Sequence, residues 1–371
     1  MRITELIAGH YRIPLPRILT DSTHGEIAAF EMVTTRIRTD SGLEGTGYTY
    51  TVGHGGTGIY RLLTDEIGPF LAGRDARLTE EIWRELWWRL HYVGRGGPVS
   101  FAMSAADIAL WDIKAQAAGE PLWRLLGGAR PRVPAYAGGV DLQFDVAELL
   151  AEMDDYLAAG FKAVKIKVGR AELQQDIERV AAVRGRIGPD TVLMVDANMR
   201  WRLDQALRAA RALRRFDVYW LEEPVEPDYE DQHQRIAECG IPLATGENLH
   251  TPAEFARMMQ RGAVCFLQPD LSNIGGITAW MKVAHCAECC NLPVSSHGAH
   301  DLHVHLLCAV PNASYLEVHR FGLERYLDTP LRLEDGYAVA PLTAGHGLQF
   351  KWNELEPHRI KAAESGERSR S

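Results

Sequence analysis

Seven polar residues, Lys167, Asp196, Glu222, Glu247, Asp270, His297 and Glu317, recur along this 371-residue chain at steps of 29, 26, 25, 23, 27 and 20. Each sits at the end of a short apolar run: FKAVKIKV, VLMVDAN, YWLEEP, PLATGE, CFLQPD, PVSSHG and YLEVH. With VPAYAGG upstream, the strand-like runs number eight. A step of this size holds one strand, one helix and two loops. Amphipathic stretches such as VAELLAEMDDYLAAG and LDQALRAARALRRF fill most of the gaps. Repeated strand–helix units predict a parallel (β/α) barrel, whose chemistry sits at the C-terminal ends of the strands. One rhythm thus predicts both a fold and a place for an active site.

The first 125 residues break that rhythm. Residues 3–14 and 28–39 read as strands, the latter carrying Val33 and Ile37, and Ser41-Gly42 with Glu44-Gly45 marks a hairpin turn. Helical patterns follow over 78–90 and 100–118. The chain therefore divides into an α+β module (1–125), a barrel (126–320) opened by the Gly- and Pro-rich GGARPRVP, and a segment (321–371). That last segment lacks a final barrel helix, and its strands and turns predict a return to the first module. The terminal KAAESGERSRS is polar enough to predict disorder.

A net charge of −9 argues against a nucleic-acid partner, which needs a basic face. No apolar run reaches the roughly 18–20 residues that span a bilayer. The N-terminus has no signal-peptide core, so a cytoplasmic location is expected. All six cysteines lie beyond residue 238. The cluster CAECC has no second pair at zinc-finger spacing, and is read as small buried residues of a helix packed on the barrel.

Lys165 and Lys167 stand two apart on one strand, so both side chains point the same way. Mutual repulsion is expected to depress at least one pKa and make a base available near neutral pH. Asp196, Glu222 and Glu247 end successive strands. One such carboxylate is commonly a surface ion pair, but three in register call for a divalent cation. All-oxygen ligands favour Mg2+, with Mn2+ as the alternative. Asn198 shares the face of Asp196. Asp270 ends the strand before His297 and can orient its imidazole and raise its basicity. Glu317 completes the ring. His300, His303 and His305 fall in a predicted helix, so they read as helix or supporting residues and not as zinc ligands.

Taken in order, KxK, DAN, EEP, GE, the Asp270/His297 pair and Glu317 resemble the enolase superfamily and, within it, the mandelate racemase subgroup. The resemblance covers essentially the whole chain and is closest to acid-sugar dehydratases of the galactarate/talarate type. It implies an α/β fold, a modified (β/α)7β TIM barrel with an N-terminal α+β capping domain. It also implies Mg2+ held by Asp196, Glu222 and Glu247. Lys167, with Lys165 beside it, would be the base on one face of the substrate, and His297, paired with Asp270, the acid/base on the other. Glu317 would hydrogen-bond the substrate carboxylate and enolate, and Asn198 would lie next to substrate or metal. Relatives are often dimers or octamers, so a homo-oligomer is expected.

Such a site removes a proton α to a carboxylate. Return of a proton to the α-carbon gives racemisation or epimerisation; loss of a β-hydroxyl gives dehydration. The cap regions 14–25 and 48–58 are rich in hydroxyls and charge, including Arg17, Asp21, Ser22, Thr23, His24, Tyr48, Tyr50 and His54. They suit a polyhydroxylated sugar acid better than an apolar ring. Arg17, His24 and Arg95 are the candidate substrate-binding residues, either arginine being able to pair with a distal carboxylate. The expected activity is an acid-sugar (aldarate or aldonate) dehydratase giving a 2-keto-3-deoxy acid, with an aldaric acid such as galactarate or talarate leading. A racemase or epimerase of a 2-hydroxy acid is the alternative, and a non-catalytic sugar-acid-binding homologue is the reading from another class.

Overall fold

The computed structural model describes residues 1–360. β1 (Ile3–Asp21) and β2 (Gly25–Thr39) form a long antiparallel hairpin, and β3 (Glu44–Thr51) pairs with β2. Val33 and Ile37, four positions apart and so on one face of the strand, are fully buried with Ala102, Ala105 and Ala109 of the helix Pro98–Ala118. The cap region 14–25 is strand on both sides of a short turn at 22–24. The pairing register shifts between Pro14 and Leu19, where Pro14 and Pro16 offer no N–H to a ladder. A helical run over 56–71 carried no clear sequence signal.

The barrel strands are β4 (Arg132–Gly138), β5 (Ala163–Lys167), β6 (Val192–Asp196), β7 (Leu221–Glu222), β8 (Leu243–Thr245) and β9 (Phe266–Leu267), each parallel to the next. PVSSHG is not a regular strand. It contributes a bridge at Val294, parallel to Leu267 on one side and Ala313 on the other. β10 (Leu316–Val318) then closes the ring on β4. The chain is thus a parallel barrel with an N-terminal α+β cap, as the resemblance implied.

Side-chain alternation divides each strand between two environments. Val164, Ile166, Leu193, Val195 and Leu221 belong to the main core that includes the surrounding helices. The opposite face carries Tyr136, Ala163, Met194 and Trp220, which cluster inside the barrel. Two residues further along the same face come Gly138, Lys165, Asp196 and Glu222. A dry aromatic plug therefore sits directly beneath the polar mouth.

β11 (Arg332–Glu334) and β12 (Tyr337–Val339) extend the sheet antiparallel to β4. Beyond them the chain reaches the cap: Phe350 packs edge-on to Tyr48 at 5.7 Å, and the Ile360 amide donates to the His10 carbonyl at 2.8 Å. The terminal KAAESGERSRS lies outside the described residues. Cys286, Cys289 and Cys290 correct an expectation. They are exposed at the C-terminal end of the helix Ile277–Cys289, because the buried face of that helix is supplied by Trp280, Val283, Ala284 and Ala287. Among the described residues, no helix is long and apolar enough to cross a membrane.

Candidate active site

Strand register brings the polar strand ends to one level. Lys167 pairs with Asp196 across β5 and β6, and Asp196 with Glu222 across β6 and β7. Asp196, Glu222 and Glu247 each offer a carboxylate oxygen, all within 4.8 Å of one another. Glu222 Oε2 accepts from Trp220 Nε1 (3.0 Å) and Gln268 Nε2 (2.8 Å), which fix the carboxylate in one pose. Asn198 Nδ2 reaches Glu247 Oε1 at 3.5 Å. Glu223 faces away and bonds Thr245 Oγ1 and Asn248 Nδ2. Burial, and then the neighbouring Asp196, push the Glu222 pKa up to about 8. Three crowded oxygen donors, two of them buried and Glu247 half-buried at the cavity, are the ligand set that a hard divalent cation fits.

The lysines depart from expectation. Lys165 Nζ lies 2.7 Å from Glu222 and 2.6 Å from Glu317, and Lys167 Nζ lies 2.5 Å from Asp196. Burial lowers both pKa values, but Glu222 and Glu317 around Lys165, and Asp196 beside Lys167, outweigh it, so both are raised and not depressed. Adjacent carboxylates outnumber the like charge on which the sequence reasoning relied.

His297 Nδ1 meets Asp270 Oδ2 at 3.0 Å, while Nε2 lies 3.2 Å from Glu247 Oε2. Burial lowers its pKa, but Glu247 and the Asp270 bond raise it further, to about 10. Asp270 is held by the Ser272 amide (2.7 Å) and by Tyr50 of the cap (3.3 Å). Gly298 has φ 55°, and a side chain there would strike the Tyr50 hydroxyl. His303 accepts from the Leu271 amide at Nε2 (3.0 Å), so its Nδ1 donates to the Gly298 carbonyl (2.9 Å). It ties together the loops that carry Asp270 and His297. Glu317 accepts from the Gly298 amide at 3.0 Å.

The β1–β2 turn docks over this mouth. Ser22 Oγ donates to the Ala197 carbonyl (2.7 Å), and Thr23 donates to the Asn198 carbonyl. His24 Nδ1 lies 2.7 Å from Asp21 Oδ2, and that bond, partly offset by burial, raises its pKa. Below the turn lies a cavity of about 400 Å³, lined by Lys167, Asn198, Glu247, Asp270 and His297 and by His24, Tyr50, His319 and Phe321.

Arg17 and Arg95 are corrected. Arg17 pairs with Glu152 and lies over Phe144, and Arg95 is exposed in the loop before Pro98; neither lines the cavity. Strand pairing carries β1 past Pro14 and turns Arg17 outward. Sequence reasoning missed His319, which lies 3.0 Å from Glu317 Oε2. The signal was available: residues 317 and 319 share the two-residue relation of 165 and 167.

The barrel mouth thus gathers carboxylates from successive strand ends, a lysine and a histidine at the edges of their cluster, and a cap above. Residues 148–354 match the enolase C-terminal domain-like family, and residues 14–127 match the mandelate racemase / muconate lactonizing enzyme N-terminal domain. The chain belongs to this family of the enolase superfamily. It is 49% identical over 346 residues to a 3,6-anhydro-alpha-L-galactonate cycloisomerase of Streptomyces coelicolor, covering 93% of this chain and 96% of that one. A crystal structure of a racemase from Streptomyces coelicolor with bound magnesium superposes with a TM-score of 0.95 at 47% identity, over 96% of this chain and 100% of the other. An L-talarate dehydratase from Polaromonas, complexed with Mg and L-glucarate, gives a TM-score of 0.92 at 32% identity, over 97% and 98%. The chain is accordingly an enzyme of the lyase or isomerase type, and its cofactor is Mg2+.

Proposed function

We propose that this enzyme removes the α-proton of a polyhydroxylated sugar acid and then eliminates the β-hydroxyl, giving a 2-keto-3-deoxy acid. The observation that carries this reading is the placement of two acid/base groups at opposite edges of one carboxylate cluster. Lys167 touches Asp196 at 2.5 Å and His297 touches Glu247 at 3.2 Å. Asp196, Glu222 and Glu247 would hold Mg2+, which supplies Lewis-acid stabilisation of the charge that builds on the substrate carboxylate.

Asp196 and Glu247 raise the pKa values of Lys167 and His297, and a cation held by those two carboxylates would weaken that hold, so that Lys167 or His297, according to the configuration at the α-carbon, takes the proton. Lys165 and Glu317 lie where the carboxylate oxygens gather charge. His297, oriented by Asp270, gives a proton to the departing β-hydroxyl. Closure by the β1–β2 turn keeps water from the enediolate.

The cavity sharpens the substrate class. Among the described residues lining it, Lys167 is the sole lysine or arginine, and it belongs to the reacting end. A distal carboxylate would be buried without a strong cationic partner, at a cost of several kcal/mol. We therefore favour a monocarboxylic aldonate over the aldaric acid that Arg17 and Arg95 suggested. A second reading, a cycloisomerase or racemase, has the 49% identical cycloisomerase in its favour. A screen of aldonates and aldarates with Mg2+, following keto products with semicarbazide and α-proton exchange in deuterated water, tests both. Keto acid from an aldonate supports dehydration. Exchange without keto product favours the isomerase.

A further inference from the structure

His319 presents a hydrogen-bonding conflict that identifies where a proton must be. Its Nδ1 lies 3.0 Å from the Gly138 carbonyl oxygen and its Nε2 lies 3.0 Å from Glu317 Oε2. A carbonyl and a carboxylate only accept, whereas a neutral imidazole donates from one nitrogen only. The contact at Nε2 therefore needs one more proton, on the ring or on Glu317. Turning the ring over would set carbons against both oxygens and lose both contacts. The ring is stacked on Phe321 at 4.2 Å and 14°, and buried. Gly138 makes this possible: a Cβ there would come within 2.8–2.9 Å of the Glu317 carboxylate and the His319 ring.

We propose that His319 is a positioning residue that holds one proton against Glu317 at rest and passes it to Glu317 as charge builds on the substrate carboxylate. This rests on the reading of Glu317 as the group on the carboxylate side of the substrate. The balance is simple. The imidazolium gives its Nε2 proton to Glu317 Oε2 and keeps the Nδ1 proton on the Gly138 carbonyl. The carboxylate becomes a carboxylic acid while negative charge builds on the enediolate, and the proton returns when that charge is lost. An ionised Glu317 would instead repel the enediolate.

The groups facing the pair are Lys165 on β5, which lies 2.6 Å from Glu317 Oε1, Tyr136 on β4 and His297 after Val294. Burial lowers the His319 pKa against the pull of Glu317; burial raises the Glu317 pKa, but His319 and Lys165 outweigh it and hold that carboxyl well below the usual carboxylate range, so the proton that the two acceptor oxygens require rests on the ring and is weakly held. Ligand atoms of His297, Glu317 and His319 also lie within 4.8 Å of one another, the spacing of a metal site. A dication there would meet the Lys165 ammonium, whereas a shared proton does not.

The test compares His319→Gln with His319→Asn. Gln keeps an N–H toward Glu317 but has no proton to share; Asn keeps only the Gly138 side. With the aldonate that the wild type turns over, Gln is expected to lower kcat roughly 10²-fold with KM within about threefold. The alkaline limb of the rate profile should move by about one pH unit or more. Asn should lose in both kcat and KM. Wild-type kcat and pH profile in a folded Gln variant would overturn the proposal. Should the wild type turn over no sugar acid, the function reading fails, while the proton is still read by nitrogen NMR of histidine-labelled protein. Loss of one resonance set with both ring nitrogens protonated, on His319→Gln, supports the shared proton. A neutral His319 with Glu317 ionised, or tight zinc binding lost in the variant while magnesium still binds, overturns it.

Discussion

At the residue scale, the site depends on which side chains share a strand face. Lys165 and Lys167 share one, as do Glu317 and His319, while Glu223 turns away from Glu222. Among the described residues, four of the seven non-glycine residues with positive φ, Asn198, Met199, Glu223 and Ala299, lie in the loops just beyond the strand ends. That concentration of strained backbone marks a rim whose shape is held by its surroundings. Replacing Lys167 with Ala, or His297 with Asn, should lower kcat/KM about 10²–10⁴-fold for the accepted substrate without changing the fold. Steady-state kinetics beside circular dichroism would check this, and undiminished rates in both variants would refute the assignment. Asp196→Asn should abolish the magnesium binding heat in calorimetry, because it removes one of three charged ligands.

At the element scale, the cap is joined to the barrel by specific bonds as well as by apolar contact. Thr49 donates to the Ser272 carbonyl at 2.6 Å, and Trp83 to the Gly275 carbonyl at 2.7 Å. Tyr50→Phe removes a bond to Asp270 and should cost about 1 kcal/mol in denaturant unfolding, with a larger effect on kcat than on KM as His297 loses its support. The helix His300–Ala309 contributes a pH response. Burial lowers His303 to about 4 and His305 to about 3, below the usual histidine range. The unfolded chain then takes up protons that the folded chain refuses. Stability from these two groups is full above about pH 6.5 and falls as the pH drops toward 3–4. Melting temperatures between pH 7 and 4.5 should drop less in His305→Gln than in the wild type; parallel curves would remove His305 as a cause.

At the scale of the whole molecule, the ligand set links metal binding to folding. Asp196, Glu222 and Glu247 come from three strands and converge only in the closed barrel. Magnesium at 100 times its Kd should therefore stabilise the native state by about 2.7 kcal/mol. The corresponding rise in Tm should vanish with chelator and in Asp196→Asn.

The barrel and its polar ring were legible because period-2 alternation and an even step along the chain are local properties. They placed Met194 beneath Asp196, Trp220 beneath Glu222 and a carboxylate at three successive strand ends. What stayed hidden was set by partners distant in sequence. The raised Lys165 pKa comes from Glu222 and Glu317, 57 and 152 positions away. Arg17 belongs to Glu152 because a strand, and not a loop, carries it past the site. The cysteine cluster is exposed because other residues occupy the buried face of its helix. The amino-acid sequence by itself determined the family of chemistry, through the kinds and order of its strand-end residues. The tertiary structure decided which cations reach the cavity and which histidine leans on Glu317, since charge and proton placement depend on distances that only closure of the barrel sets.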